Sequence, residues 1–211
     1  MQRRHFSLGL LGAAALPPRA AAQGGEPVEG KHYTRLAPPL PPAAQGKIEV
    51  SEFFGYWCPH CRTLEPRLEA WAKKLPPDVA LRRVPVSWQP QHEPYQRLYY
   101  ALEALGLPGE IHAKVFDAVQ VQKLRFEVDS AVALFAGANG IDPAKLLDAM
   151  KGFAASNKAR AATQQFRSHG LNGVPAFGVH GRFVTGPGLA GGDAQALQVV
   201  DALIRKVRAS R

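Results

Sequence analysis

The sequence predicts an α/β fold in which an all-helical segment interrupts a sheet-containing domain. An apolar strand pattern at 47–54 leads into a helix and then into a second strand pattern at 79–86. Apolar residues then follow helical spacing up to residue 151, and strand patterns return only at 176. The length of 211 residues is sufficient for one domain that carries such an insertion.

The composition excludes several classes of protein. With 46% hydrophobic and 20% charged residues, the chain is not disordered as a whole. Two cysteines are too few for a disulfide-rich scaffold or a four-thiolate metal site. The formal net charge is +9, but the basic residues are scattered and no binding motif accompanies them, so we expect no nucleic-acid partner.

Residues 1–22 have the pattern of a signal peptide. Arg3 and Arg4 precede a short apolar run at 6–16, and small residues follow up to Ala22, where we place the cleavage. Removal of three arginines and no acid would leave a mature charge of +6. The pattern predicts export to the periplasm, by the general or the twin-arginine route. The alternative is a buried N-terminal helix.

The mature chain then follows in order. Residues 23–46 are rich in Pro, Gly and Ala and predict an extended arm with one short edge strand around 32–36. The strand at 47–54, a helix at 58–74 and the strand at 79–86 form a right-handed crossover, so the two strands should be parallel.

The rest of the sequence predicts first a helical segment and then a return of strands. Residues 88–151 predict a helical insertion, and Asp129 and Asp142 are expected N-caps within it. The remaining elements are a helix at 156–169, strands at 176–179 and 182–185 joined by a tight turn, and a helix at 193–207. This is the order of a thioredoxin fold with an inserted all-helical domain, the thioredoxin-like part being 47–87 and 152–211.

Both cysteines lie in one motif, Cys58-Pro59-His60-Cys61, which follows a strand and opens a helix. A thiolate is the form that attacks a disulfide, and the free N–H groups and dipole at a helix N-terminus lower the pKa of Cys58. Cys61 lies one turn further on, where it can close a disulfide with Cys58 and resolve a mixed disulfide. Pro59 has no N–H to lose and suits the first turn.

His60 indicates whether the protein oxidises or reduces its substrates. A histidine between the two cysteines can donate a hydrogen bond or a charge to the Cys58 thiolate. Stabilising the thiolate stabilises the reduced protein, and such a protein readily gives its disulfide away.

Three other uses of the motif are less consistent with the sequence. A structural disulfide across so short a loop would add little stability. A zinc site lacks a fourth ligand at a recognisable spacing, and a cysteine hydrolase has no need of the second thiol. We therefore expect a redox-active Cys58–Cys61 disulfide, no metal and no bound cofactor.

Two segments carry a family resemblance. The run Glu52-Phe53-Phe54-Gly55-Tyr56-Trp57-Cys58-Pro59-His60-Cys61 resembles the active-site strand and helix of the DsbA family of exported thiol:disulfide interchange proteins. The run Gly173-Val174-Pro175-Ala176-Phe177 resembles the cis-proline loop of that family. The predicted insertion also lies where that family carries one.

The resemblance implies roles for these residues. Cys58 would be the nucleophile and Cys61 its buried partner. Pro175 would be cis and face the disulfide, and Val174 would offer backbone groups to an extended substrate segment. Reduced exported polypeptides would be the substrates, a DsbB-like quinone-coupled membrane oxidase would regenerate the disulfide, and we expect a monomer.

Glu52 matches a buried acid of the family that acts in proton transfer near the deeper cysteine. The family pairs that acid with a lysine on the next strand, where this chain has Arg82 and Arg83. We favour Arg83 as the partner and expect an arginine to keep the carboxylate charged, which would argue against a proton relay. The alternative is a simple buried ion pair.

Other residues carry weaker expectations. Phe53 and Phe54 are expected in the core, whereas Tyr56 and Trp57 are expected to be partly exposed and to contact substrate. The run 186–191 matches a dinucleotide-binding glycine pattern literally but is interpreted as a turn before the last helix. The histidines expected at the surface or at caps are His32, His92, His112, His169 and His180.

Two other functions stay open. A disulfide isomerase or reductase of the same fold would use the same motif, although the segment ahead of residue 47 is too short for a dimerisation domain. A non-catalytic holdase would grip unfolded chains by an apolar groove.

Overall fold

The computed structural model describes residues 25–44, 46–107 and 109–210. The predicted signal peptide at 1–22 lies outside the described residues. No helix within the described ranges is long and apolar enough to cross a membrane.

A mixed sheet organises the fold, and the described residues contribute five strands to it. Its strands are β1 (Thr34–Arg35), β2 (Ile48–Phe54), β3 (Val79–Pro85), β4 (Ala176–Val179) and β5 (Phe183–Thr185), in the spatial order β1-β5-β4-β2-β3. The apolar strand β2 is buried over all seven residues. It pairs in parallel with β3 and antiparallel with β4, which confirms the predicted crossover. The expected edge strand in the arm is also confirmed, as β1.

Eight helices accompany the sheet in the described part of the chain. They are α1 (Pro59–Ala72), α2 (Glu93–Ala104), α3 (Glu110–Gln120), α4 (Asp129–Ala138), α5 (Pro143–Lys151), α6 (Phe153–Ser168), α7 (Pro187–Ala190) and α8 (Asp193–Arg208), with a 3₁₀ turn at Pro90–His92. Helices α2 to α5 fall within the predicted insertion. The fold is the predicted thioredoxin fold with inserted helices.

Several local expectations need correction. Asp142 does cap α5, because its carboxylate accepts hydrogen bonds from the N–H groups of Ala144 and Lys145. Asp129 is not an N-cap: Val128 has that place, and Asp129 lies in the first turn of α4 and pairs with Lys151. The glycine-rich run contains a short helix, α7, and is not a simple turn.

Separate apolar cores lie in the two parts of the fold. One core contains buried residues of β2, α1 and α8, among them Ile48, Leu64 and Val200. Another contains the helices of the insertion, and Phe54, Tyr56, Cys58 and Cys61 pack into it. The cysteine motif therefore lies where the sheet domain meets the helical insertion.

Candidate active site

Cys58 lies at the N-terminus of α1. Strand β2 ends at Phe54, a short turn follows, and Cys58 is the N-cap residue of the helix. Its N–H donates to the carbonyl of Gly55 at 2.9 Å. Pro59 occupies the first helical turn, where its missing N–H costs nothing, and both Pro59 and His60 are exposed.

The two thiols are in very different environments. Both are free; Cys58 is 4% exposed and Cys61 is completely buried. The thiol of Cys61 and the N–H groups of Cys61 and His60 donate to Cys58 Sγ and, with the charge of His60, lower the pKa of Cys58 to about 6. Burial raises the pKa of Cys61 well above its usual range. The first cysteine is thus a stable thiolate at neutral pH, and the second strongly prefers to carry a proton.

The loop before β4 faces this pair. The Val174–Pro175 peptide bond is cis, and the carbonyl oxygen of Val174 lies 3.5 Å from Cys58 Sγ. A groove of about 440 Å³ runs beside the loop and is lined by His60, Val174, Pro175, Leu189 and neighbouring residues. An incoming chain placed along Val174 would therefore reach Cys58.

The two aromatic residues before Cys58 differ in exposure. Trp57 is half-buried, as expected, and its ring stacks on His92 at 4.2 Å between centroids. The expectation of partial exposure is wrong for Tyr56, which is 1% exposed and packs against Phe54 and Phe116. Tyr56 therefore does not present its ring to a substrate.

Glu52 and Arg83 are paired, as we expected. They are register partners on β2 and β3, while Arg82 binds Glu49 instead. The expectation that the arginine keeps Glu52 charged is wrong. Burial and the neighbouring carboxylate of Glu65 outweigh Arg83 and raise the pKa of Glu52 to about 8. Burial therefore favours the protonated form of Glu52.

Sequence reasoning missed three residues near the cysteines. Glu65 lies one turn after Cys61 and binds Arg83 at 2.7 Å. Gln120 donates to the carbonyls of Tyr56 and Cys58 at 2.8 and 2.9 Å, which ties α3 to the active-site turn. His112, expected at the surface or at a cap, is buried and bonds the Tyr56 hydroxyl at 2.6 Å.

Part of this could be found from spacing. Glu65 is four residues after Cys61 on the buried face of α1, and His112 is in phase with Val115 and Phe116 on the apolar face of α3. No pattern marks Gln120. His169 does cap a helix, α6, but it too is buried.

A thioredoxin sheet that places a Cys-x-x-Cys pair at a helix N-terminus, opposite a cis-proline loop, defines a thiol:disulfide oxidoreductase. Comparisons with known proteins agree. The DSBA-like thioredoxin domain family matches residues 80–196, and the Thioredoxin family matches residues 43–95. The chain belongs to the DsbA family.

Relatives in this family match almost the full chain. The "Thiol:disulfide interchange protein DsbA" of Bordetella parapertussis is 41% identical over 206 residues, which are 94% of this chain and 96% of the relative. The crystal structure of Pseudomonas aeruginosa DsbA has a TM-score of 0.83 at 33% identity and covers 87% of this chain and 95% of its own. Reduced DsbA1 of Neisseria meningitidis has a TM-score of 0.77 at 30% identity and covers 88% and 97%.

Proposed function

We propose that this oxidoreductase is a dithiol oxidase which gives its Cys58–Cys61 disulfide to reduced polypeptides newly exported to the periplasm. The observation that carries the proposal is the placement of the two thiols: Cys58 is the N-cap of α1 beside the carbonyl of Val174, whereas Cys61 is completely buried. This placement lowers the pKa of Cys58 to about 6 and raises that of Cys61. A stable thiolate stabilises the reduced protein, and this makes the disulfide oxidising.

The reaction has two exchange steps. A substrate thiolate attacks Cys58 Sγ, the Cys58–Cys61 bond breaks, and Cys61 leaves with the electron pair. A second substrate thiolate then attacks the substrate sulfur of the mixed disulfide, and Cys58 leaves as a thiolate. The substrate loses two electrons and gains a disulfide, while the two cysteines of the protein become reduced.

Cys61 needs a proton when it leaves. Its pKa is high because it is buried, so its thiolate is a poor leaving group unless an acid is near. Glu52 is the candidate acid, since burial raises its pKa to about 8 and its carboxyl group lies near enough to Cys61 to raise the pKa of that thiol when it is ionised. Arg83 holds the carboxyl in place.

Substrate binding is assigned to the cis-proline loop. Val174 would pair with an extended segment through its backbone groups, and Pro175 and Leu189 would contact substrate side chains in the groove. Trp57 borders the motif from the other side. Tyr56 is buried and packs against the active-site turn, so we assign it no contact with substrate.

Regeneration requires an acceptor of two electrons. We assign that role to a DsbB-like quinone-coupled membrane oxidase, which would also react at Cys58. The protein itself then needs no cofactor beyond the Cys58–Cys61 disulfide, and it acts as a monomer.

The proposal predicts a measurable potential and activity. Equilibration with glutathione should give a reduction potential well above the value of about −270 mV typical of thioredoxin. The oxidised protein should convert a dithiol peptide to its disulfide, Cys61→Ser should trap the mixed disulfide, and Cys58→Ser should be inactive. A thioredoxin-like potential would favour the reductase or isomerase. Intact disulfide formation in cells carrying Cys58→Ser would favour the holdase.

Export is tested separately. We propose that residues 1–22 direct the chain to the periplasm and are removed after Ala22. N-terminal sequencing of the protein recovered from the periplasm should then begin at Gln23. Retention of Met1 in a cytoplasmic product would contradict the proposal.

A further inference from the structure

A polar cluster lies buried beneath the cysteine motif. We define it as Tyr56, Glu52, Glu65, Arg83 and His112. These residues come from β2, the turn after it, α1, β3 and the inserted helix α3. Glu52, Glu65, Tyr56 and His112 are all buried, and the side chain of Arg83 is 17% exposed.

Short distances connect the cluster in a line. The hydroxyl of Tyr56 is 2.6 Å from His112 Nδ1, and His112 Nε2 is 3.5 Å from Glu65 Oε2. Glu65 Oε1 accepts from Arg83 Nη2 at 2.7 Å. Arg83 Nε is 3.4 Å from Glu52 Oε2. The line runs from the acid assigned to Cys61 into the helical insertion.

Several atoms along this line have no hydrogen-bond partner within the part of the chain that the structure describes. They are both carboxyl oxygens of Glu52, Oε2 of Glu65, Nε of Arg83 and Nε2 of His112. Buried polar groups are nearly always hydrogen-bonded, and internal water is the usual partner where protein groups do not reach. Five such atoms in one cluster indicate that internal water binds there, and such water can exchange protons with the side chains of the cluster.

A cavity connects the cluster with the surface. Its volume is about 120 Å³, and Tyr56, Arg83 and His112 line its inner part. Exposed Glu103 and Gly109, at the end of α2 and the start of α3, line its outer part. One water molecule occupies about 30 Å³ in the liquid, so the cavity has room for several.

We infer that His112 passes protons between this cavity and the Glu65–Glu52 pair, so that the helical insertion supplies the route by which Cys61 is protonated. The inference rests on the proposed role of Glu52. His112 acts through Glu65 and Glu52 and does not touch the sulfur atoms, so it is a positioning residue.

The proton balance follows the line. Glu52 gives its proton to the Cys61 thiolate and takes one from Glu65 by way of internal water, because Arg83, which links the two carboxyl groups, cannot give up its proton. Glu65 then receives the hydrogen on His112 Nε2. His112 takes the Tyr56 proton at Nδ1, and Tyr56 is reprotonated from cavity water. One proton moves from solvent to Cys61, and no group changes its oxidation state.

The surroundings keep His112 in the required form. Burial lowers its pKa more than the nearby carboxylates raise it, so the ring is neutral at pH 7. A neutral imidazole has one donor and one acceptor nitrogen, as a relay needs. Several titratable or charged groups face the His112 ring. They are the hydroxyls of Tyr56, in the turn after β2, and of Tyr99 of α2, the carboxyl groups of Glu65 and Glu69 of α1, and the guanidinium of Arg83 of β3.

The test is single-turnover oxidation of a dithiol peptide by the oxidised full chain, followed by stopped flow between pH 5 and 8. We expect His112→Ala and His112→Gln to slow the reaction at pH 7 by about a hundredfold, the lower end for loss of general acid–base help. Added imidazole should restore the rate of His112→Ala, because it can enter the space left by the ring. A merely structural role would not respond to imidazole.

His169→Gln is the matched control, since His169 is also a buried histidine but lies outside the cluster, bonded to the carbonyl of Gln165. It should stay within twofold of the wild-type rate. Wild-type rates in both His112 variants, or slow rates that imidazole leaves unchanged in a folded His112→Ala, would overturn the inference.

Two further variants keep the outcome decisive. If His112→Ala does not fold, Tyr56→Phe decides: a slow rate supports the route, and a wild-type rate overturns it. Glu52→Gln separates this inference from the proposed function. A wild-type rate in Glu52→Gln would show that Glu52 is not the acid that protonates Cys61. A slow rate in Glu52→Gln together with wild-type rates in both His112 variants would refute only the route through His112.

Discussion

Glu52 and Arg83 face each other across the parallel strands β2 and β3, with 3.4 Å between Oε2 and Nε. The same guanidinium also binds Glu65 at 2.7 Å and Glu69 at 2.5 Å. One buried cation thus serves three carboxyl groups. The most deeply buried of them, Glu52, consequently keeps its proton, and this makes it suitable as the acid for Cys61.

Glu52→Gln should stabilise the protein at neutral pH. The pKa of Glu52 is about 8 in the folded protein, above the ordinary 4.5, so its contribution to stability is present below pH 4.5 and is lost as the pH rises toward 8. We expect the variant to gain up to roughly 3 kcal/mol at pH 7 in urea unfolding. Glu49→Gln is the control with the opposite sign, because pairing with Arg82 helps lower the pKa of Glu49. A loss of stability in both variants would contradict the assignment.

Arg83→Met should be strongly destabilising. It would leave Glu52, Glu65 and Glu69 without their shared cation, and removing one partner of a buried pair costs about 3–5 kcal/mol. The loss should be smaller near pH 4, where the carboxyl groups take up protons. Arg62→Met removes an exposed pair with Asp117 and should cost less than about 1 kcal/mol. Equal losses in the two variants would show that the buried cluster has no special importance.

The thiol of Cys58 should titrate near pH 6 in the reduced protein, as measured by thiolate absorbance at 240 nm. Because this pKa lies below the ordinary value, the reduced form should gain stability over the disulfide form as the pH rises above 6. Cys61→Ala removes the largest contribution and should move the midpoint upward. A wild-type midpoint near that of free cysteine would remove the basis for an oxidase.

Gly55→Ala should disturb the active-site turn. A Cβ at this position would lie 2.5 Å from the indole ring of Trp57, so the ring must shift and its stacking on His92 should change. We expect altered tryptophan fluorescence and slower peptide oxidation. Gly137→Ala is the control, since its Cβ would meet open space in helix α4 and should add up to about 1 kcal/mol of stability. Unchanged fluorescence in Gly55→Ala would refute the predicted displacement.

Leu189→Gln should weaken substrate binding. Leu189 lines the groove beside Pro175 and is 43% exposed, so its loss should raise KM for an apolar peptide several-fold and leave kcat nearly unchanged. Val128 is equally exposed, at 45%, but lies on the helical insertion. Val128→Gln should therefore have wild-type kinetics, and a similar rise in KM for both variants would contradict a role for the groove.

Much of the site could be predicted because its signals are local. The apolar strand β2 and the Cys58–Cys61 motif at the start of α1 are contiguous in sequence, and periodicity marks the inserted helices. The pairing of Glu52 with Arg83 also followed from strand order, since two adjacent parallel strands offer few registers. These features depend on backbone geometry and on short spacings.

Tertiary packing decided the rest. The charge state of Glu52 depends on Glu65, burial and one shared arginine, and the sequence alone does not show how these three combine. The burial of Tyr56 and the contacts of His112 and Gln120 arise where the inserted helices cover the motif. The fold class and the reactive pair could be predicted from the sequence. The electrostatic environment of that pair depends on groups that only folding brings together, because burial and charge act through space and not along the chain.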